Sequence, residues 1–118
     1  VCKDCQRKSR SNANHARRVL TTYGITSEEY AALVEHQGGV CAACGQKRGY
    51  RLNVDHDHTD ERDAIEAGIS PENAARWSVR GLLCRRCNKV LRDVRDSIDV
   101  LQGLAAYLEH PPAQEVLN

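Results

Sequence analysis

The sequence has no phenylalanine, no methionine and a single tryptophan, Trp77. The large side chains that usually supply most of a core's buried surface are therefore scarce. With 28% charged residues and only 118 residues in all, the chain builds one small domain that would gain from a staple. No stretch approaches the ~20 apolar residues of a membrane span. No basic-then-apolar start resembles a secretion signal. We therefore expect no membrane partner and no secreted precursor, and the absence of heptads excludes a coiled-coil rod.

The formal net charge of +1 hides a segregation. Residues 1–18 hold six basic side chains (Lys3, Arg7, Lys8, Arg10, Arg17, Arg18) against Asp4 alone. Residues 76–95 hold seven (Arg76, Arg80, Arg85, Arg86, Lys89, Arg92, Arg95) against Asp93 alone. The rest of the chain is acidic. Two basic segments on an acidic background suit a polyanion-facing surface, and ordinary solvated helix faces would read the same way.

What the sequence does have is cysteine, six residues in three pairs of one form: Cys2-x-x-Cys5, Cys41-x-x-Cys44 and Cys84-x-x-Cys87. A disulfide across such a pair closes only a tiny loop, whereas a C-x-x-C turn aims both sulfurs at one point, as tetrahedral zinc requires. No thioredoxin-like βαβ pattern surrounds any of them. Between Cys44 and Cys84 lie 39 residues, more than the ~15–20 of an ordinary zinc loop. The polar segment 60–78 reads as a 19-residue insert, and without it the spacing becomes ordinary. Cys41, Cys44, Cys84 and Cys87 are thus expected to share one structural Zn²⁺, with Arg85 and Arg86 offsetting the surplus negative charge. Cys2 and Cys5 are left as half of a second site, completed by His15, by another protomer or by residues outside this sequence.

A helix is expected over 12–22, with Asn12 as cap and Gly24 as its stop. Thr26 with Glu29 three residues on is a capping box opening a second helix, which Gly38-Gly39 ends. Tyr50 to His56 alternates and reads as a strand, as does the run from Val79 to Leu83. Ser70-Pro71 opens a short helix within the insert, and a final helix runs from about 88 to 109. Tyr30, Leu33, Leu101, Leu104 and Leu108 are core by pattern. Trp77 is either core or a DNA contact, and His15, His36 and His110 are surface histidines.

The chemical signal is Val54-Asp55-His56-Asp57-His58, ten residues after the first cysteine knuckle, together with Asn88 directly after the second. Asp55 and Asn88 offer oxygen ligands for a hard divalent cation and leave most of its sphere to water and phosphate. His56 points to the other face of the strand. A neutral imidazole there can take a proton from water at pH 7. The plainer reading is an acidic turn, with Asn88 a helix cap and the histidines zinc ligands.

These stretches resemble the HNH (His-Me finger, ββα-metal) nucleases, and within them the recombination endonuclease VII family. The resemblance also rests on Tyr23-Gly24-Ile25-Thr26, on Gln37-Gly38-Gly39-Val40-Cys41, on Val79-Arg80-Gly81-Leu82-Leu83-Cys84 and on Ala105-Ala106-Tyr107-Leu108-Glu109. It implies a small α+β fold, a zinc-stapled ββα-metal core with flanking helices. It also implies a DNA endonuclease whose catalytic Mg²⁺ or Mn²⁺ is held by Asp55 and Asn88, with His56 as general base and His58 on the scissile phosphate. The expected organisation is a basic helical arm (1–22), the nuclease domain (23–110, with insert 60–78) and a tail (111–118). DNA is the expected partner, through Arg80, Arg85, Arg86, Lys89, Arg17 and Arg18. The setting is the cytoplasm of a bacterium or a phage-infected host, and a homodimer stays open. Leu91 stands where some relatives carry an extra carboxylate. No further dimer-building segment follows the helix at Tyr107-Leu108, which favours general nicking or double-strand cleavage over junction resolution. The competing class is a non-catalytic zinc-ribbon DNA-binding or adaptor module, which explains the cysteines and the basic segments but not Asp-His-x-His beside Cys-Asn.

Overall fold

The computed structural model describes residues 2–118, and the side chains of all of these except residues 58–61 and Glu72. The chain divides into two compact units, Val1–Arg85 and Arg86–Asn118.

The first unit opens with α1 (Lys3–Tyr23), nine residues earlier than the expected start at 12. The cause is at Cys2, whose extended backbone and sulfur, accepting from the Cys5 N–H, cap the helix in place of Asn12. Asn12 lies mid-helix and accepts from Arg51 instead. Gly24, at φ 69°, ends α1 with its N–H on the Leu20 carbonyl; only a left-handed residue makes that turn cheaply. α2 (Ser27–His36) begins at the expected capping box, Thr26 and Glu29 exchanging both hydrogen bonds. α2 buries Tyr30, whose hydroxyl donates to the Leu52 carbonyl at 2.7 Å.

β1 (Asn53–His56) and β2 (Val79–Leu83) form a two-stranded antiparallel sheet, pairing Val54 with Leu82 and Asp55 with Gly81. The next pair is His56 with Val79, so Arg80 is an extra residue on β2. Such a bulge bends its strand and re-aims a side chain. β1 is shorter than the expected 50–56, and the Leu52 carbonyl just before it is taken by the Tyr30 hydroxyl instead of the ladder. Gln37 joins α2 to the sheet, donating to the Val40 and Leu82 carbonyls and accepting from the Leu82 N–H. A Cβ on Gly81 would stand 3.4 Å from the Gln37 side-chain oxygen, an ordinary contact.

The insert forms two helices rather than one, α3 (His58–Glu66) and α4 (Pro71–Ser78), packed on each other, and α4 also packs on α1. Pro71 takes the first helical position as expected, while Ser70 makes no side-chain cap bond. Ala74 is fully buried, joining Val19, Ile25, Leu52, Val54, Leu82 and Leu83 in the core. Trp77 is 73% exposed and is not core.

In the second unit the expected single helix over 88–109 is two. α5 (Arg85–Asp93), which begins at the boundary, is followed by α6 (Ile98–Glu109). Arg95 and Asp96 adopt φ of 54° and 57°, and the Asp96 N–H reaches back to the Leu91 carbonyl, closing α5 in the manner of a Schellman turn. Ser97 then caps α6 by accepting from Val100. The expected tail holds α7 (Pro112–Leu117). Among the described residues none on α5, α6 or α7 is buried. Leu104 and Leu108, core by pattern, are exposed. No described helix is long and apolar enough to cross a membrane.

Candidate functional site

The first knuckle turns through Gly45, whose N–H returns to the Cys41 carbonyl at 3.0 Å with φ of 70°. The Ala42 N–H donates to the Leu82 carbonyl at 3.2 Å, which pins this turn against β2. Cys84 follows β2 directly, and Cys87 lies in the first turn of α5. The ligand atoms of Cys41, Cys44, Cys84 and Cys87 all lie within 4.8 Å of one another. The Cys44 and Cys84 sulfurs are 3.8 Å apart. Four sulfurs about 2.3 Å from a central zinc stand roughly 3.8 Å apart at tetrahedral angles, so the donor set and its spacing fit Zn²⁺. The pairing expected from the sequence is the one found.

Arg85 lies over the Tyr50 ring, 4.0 Å from its centroid, and Arg86 is exposed. Arg48, not expected from the sequence, places one guanidinium nitrogen 3.8 Å from both the Cys44 and Cys84 sulfurs. The thiols hold the Arg48 charge above its ordinary range through these two contacts. A cation four residues after a thiol ligand was the available signal. Cys2 and Cys5 take no part in this group. They are exposed at the start of α1 with sulfurs 2.7 Å apart, and hydrogen bonds from Cys5 draw the Cys2 thiol below its ordinary pKa.

Across the sheet, Asp55 is 7% exposed and accepts two hydrogen bonds from Arg80, at 2.7 and 2.9 Å. The bulge is what lets Arg80 reach back to its cross-strand neighbour. Asp57 lies 3.9 Å from the same guanidinium. A buried carboxylate with a two-pronged cationic partner is fixed in position. His56, on the opposite face, is half-buried with its ring 5.3 Å from that of Tyr23. Tyr23 ends a helix far away in sequence, and nothing local marks it as a neighbour of His56. The His58 side chain lies outside the described residues. Asn88 is half-buried on α5, in the second unit. Lys89, on the same helix, is exposed and pairs with Asp93 at 2.7 Å. Arg17 and Arg18 are exposed on α1.

A family model described as recombination endonuclease VII matches residues 16–110. A Gene 59 protein of Mycobacterium phage D29 is 44% identical over 113 residues, covering 93% of this chain and 59% of the relative. A Gene 59 protein of Mycobacterium phage L5 is 41% identical over 115 residues, covering 95% of this chain and 60% of the relative. The chain thus spans about three-fifths of the length of these curated relatives. No solved structure matches it.

Proposed function

Because the chain belongs to the recombination endonuclease VII family, we propose that it is a metal-dependent DNA endonuclease of the HNH (His-Me finger) type. It hydrolyses phosphodiester bonds, by nicking or double-strand cleavage, to 5′-phosphate and 3′-hydroxyl ends. The observation that carries this reading is the short strand bearing Asp55 and His56, whose partner strand runs directly into the cysteine cluster. β1, β2 and α5 are the elements of the proposed ββα-metal core.

In the proposed site Asp55 and Asn88 would hold Mg²⁺ or Mn²⁺, since a carboxylate and an amide oxygen suit a hard cation. That cation, when bound, supplies charge stabilisation at the phosphate and the leaving 3′ oxygen. The His56 imidazole takes the proton of the attacking water, with Tyr23 packed against its ring. His58 contacts the scissile phosphate. Arg80, now bonded to both Asp55 oxygens, passes to a phosphate oxygen when Asp55 takes up its ligand. Arg85, Arg86, Lys89, Arg17 and Arg18 contact the backbone further out. The four-thiolate zinc has no open coordination position and is structural. The proposed setting is the cytoplasm of a bacterium or a phage-infected host cell.

The test is supercoiled plasmid incubated with Mg²⁺ or Mn²⁺. Nicked or linear product is expected, and it should disappear on adding a mild chelator that leaves the zinc in place. General-base removal costs about 10²–10⁴-fold, so His56→Ala should lose that much activity with unchanged zinc content and melting temperature. A folded His56→Ala protein of full activity overturns the assignment of the base. A zinc-loaded wild type that binds DNA and never cuts it is a binding module instead.

A further inference from the structure

α1 carries a basic face of which the reading above uses only Arg18, as a backbone contact. Arg7, Arg10, Ser11, Asn14 and Arg18 fall on one stripe of the helix, at spacings of three and four residues. With Arg51 they line a cavity of about 500 Å³. Arg51 comes from the segment before β1 and bridges to the helix, donating to the Ser11 hydroxyl at 3.2 Å and to the Asn12 side-chain oxygen. Four guanidinium groups therefore surround one space, and among the described residues no carboxylate lines it. His15, expected on the surface, is half-buried at its edge, with its ring edge-on to Tyr30 at 4.6 Å. Burial lowers its pKa, and the charges of Arg51 and Arg18 lower it further.

We propose that this cavity seats the phosphate backbone of duplex DNA, apart from the scissile site. Uncompensated positive charge around a concave surface concentrates anions there. Arginine suits phosphate because its planar fork binds two oxygens at once. The length of the stripe selects a polymer over a mononucleotide. From Arg7 to Arg18 the helix rises about 16 Å at 1.5 Å per residue, against about 3.4 Å of duplex axis per phosphate on one strand. A row of phosphates matches such a stripe, and a single phosphate leaves most of it unused. Arg51 holds one side of the seat in place before DNA arrives. The proposal rests on the reading above in taking DNA as the polyanion, and it adds a binding site to the cleavage site.

The experiment is duplex binding by fluorescence anisotropy without catalytic metal, in salt from 50 to 200 mM. Each phosphate contact contributes about 0.9 to the slope of log affinity on log salt. Arg7→Gln/Arg10→Gln should weaken binding and flatten that slope by about 1.8, irrespective of DNA sequence. Arg51→Ala should flatten it by about 0.9, while Arg51→Lys keeps the charge and most of the slope. Circular dichroism checks that α1 survives in each variant. Arg92→Gln, on α5 and outside the cavity, should leave the slope unchanged. Unaltered slopes in a folded Arg7→Gln/Arg10→Gln protein, or an equal loss in Arg92→Gln, overturn the proposal. Cleavage at saturating protein separates the two readings. A wild type that never cuts but shows these slope changes keeps the phosphate seat and loses the endonuclease. A wild type that cuts with unaltered slopes does the reverse.

Discussion

Residues 2–18 and residues 41–87 are built from the same two materials, C-x-x-C pairs and arginines. In the later region both are largely committed internally. Two cysteine pairs converge, Arg48 lies against two of the sulfurs, Arg80 holds Asp55, Arg76 holds Glu29 and Arg85 covers Tyr50. In the earlier region the cysteine pair is exposed, and Arg7, Arg10 and Arg18 face a cavity that no carboxylate among the described residues lines. The contrast teaches that the motif does not set the role. A C-x-x-C becomes a metal site when tertiary structure brings it a second pair, and an arginine becomes available to a ligand when the fold gives it no anion.

The sharpest way to break this comparison is to remove one cysteine from each region. Structural zinc supplies about 10–16 kcal/mol, which equals or exceeds the whole stability of a typical domain, about 5–15 kcal/mol. Cys84→Ser should therefore lose the zinc and the cooperative melting transition together, the more so in a core without phenylalanine. Cys5→Ser should retain one zinc per chain and melt near wild type, since Cys5 is exposed and contributes no core packing. Metal content by mass spectrometry and thermal melts by circular dichroism read both variants. A folded, fully zinc-loaded Cys84→Ser protein would show that the four thiols do not share a metal.

A smaller effect is expected at Arg48. Groups that contact metal ligands without binding the metal change affinity by about 10–100-fold when removed. Four thiolates on Zn²⁺ leave a surplus of negative charge that the Arg48 guanidinium offsets. Arg48→Ala should lower zinc affinity within that range in competition with a chromogenic chelator. Arg86→Ala, at an exposed position, should change it little. Equal effects at the two positions would mean that net charge, and not contact, tunes the metal.

The sequence revealed what depends on neighbours a few residues apart. The Thr26–Glu29 capping box, the Gly24 stop, both strands and the knuckle turns carry their geometry in their own residue types. The pairing of Cys41/Cys44 with Cys84/Cys87 was legible because, with the insert 60–78 set aside, their spacing is that of an ordinary zinc loop. What escaped depends on long-range contacts or on backbone states that side chains permit without demanding. Arg51 crosses to Ser11 and Asn12, Tyr23 packs on His56, and Gln37 latches Leu82, each far apart in sequence. The break at Arg95-Asp96 carries neither glycine nor proline, so the periodicity read as one continuous helix. The sequence places the start of α1 too late because Ser9, Ser11, Asn12 and Asn14 favour caps and turns, and in the fold Arg51 bonds two of them as part of the helix.

The smallest effect concerns an internally committed arginine. Arg76 on α4 pairs with Glu29 at the start of α2 and donates toward the Gly24 carbonyl at 3.4 Å. Hydrogen bonding from Arg76, followed by that from the Thr26 N–H, holds the Glu29 carboxyl down at about 2, from an ordinary 4.5. Between pH 4.5 and 2 the unfolded chain therefore binds this proton more readily than the folded one. The contribution is complete above pH 4.5 and declines as pH falls through that window. The pair is exposed, so its contribution to stability is slight. The direct readout is the carboxyl carbon of Glu29 followed by NMR in zinc-saturated protein, with an expected midpoint near 2. Arg76→Ala should move the midpoint up toward the ordinary value. Glu29→Gln, which still reaches the Thr26 N–H from the third helical position, should keep α2 capped while removing the charge. A wild-type midpoint near 4.5 would mean that Arg76 is as uncommitted in solution as the arginines of α1, and the contrast between the two regions would narrow to their cysteines.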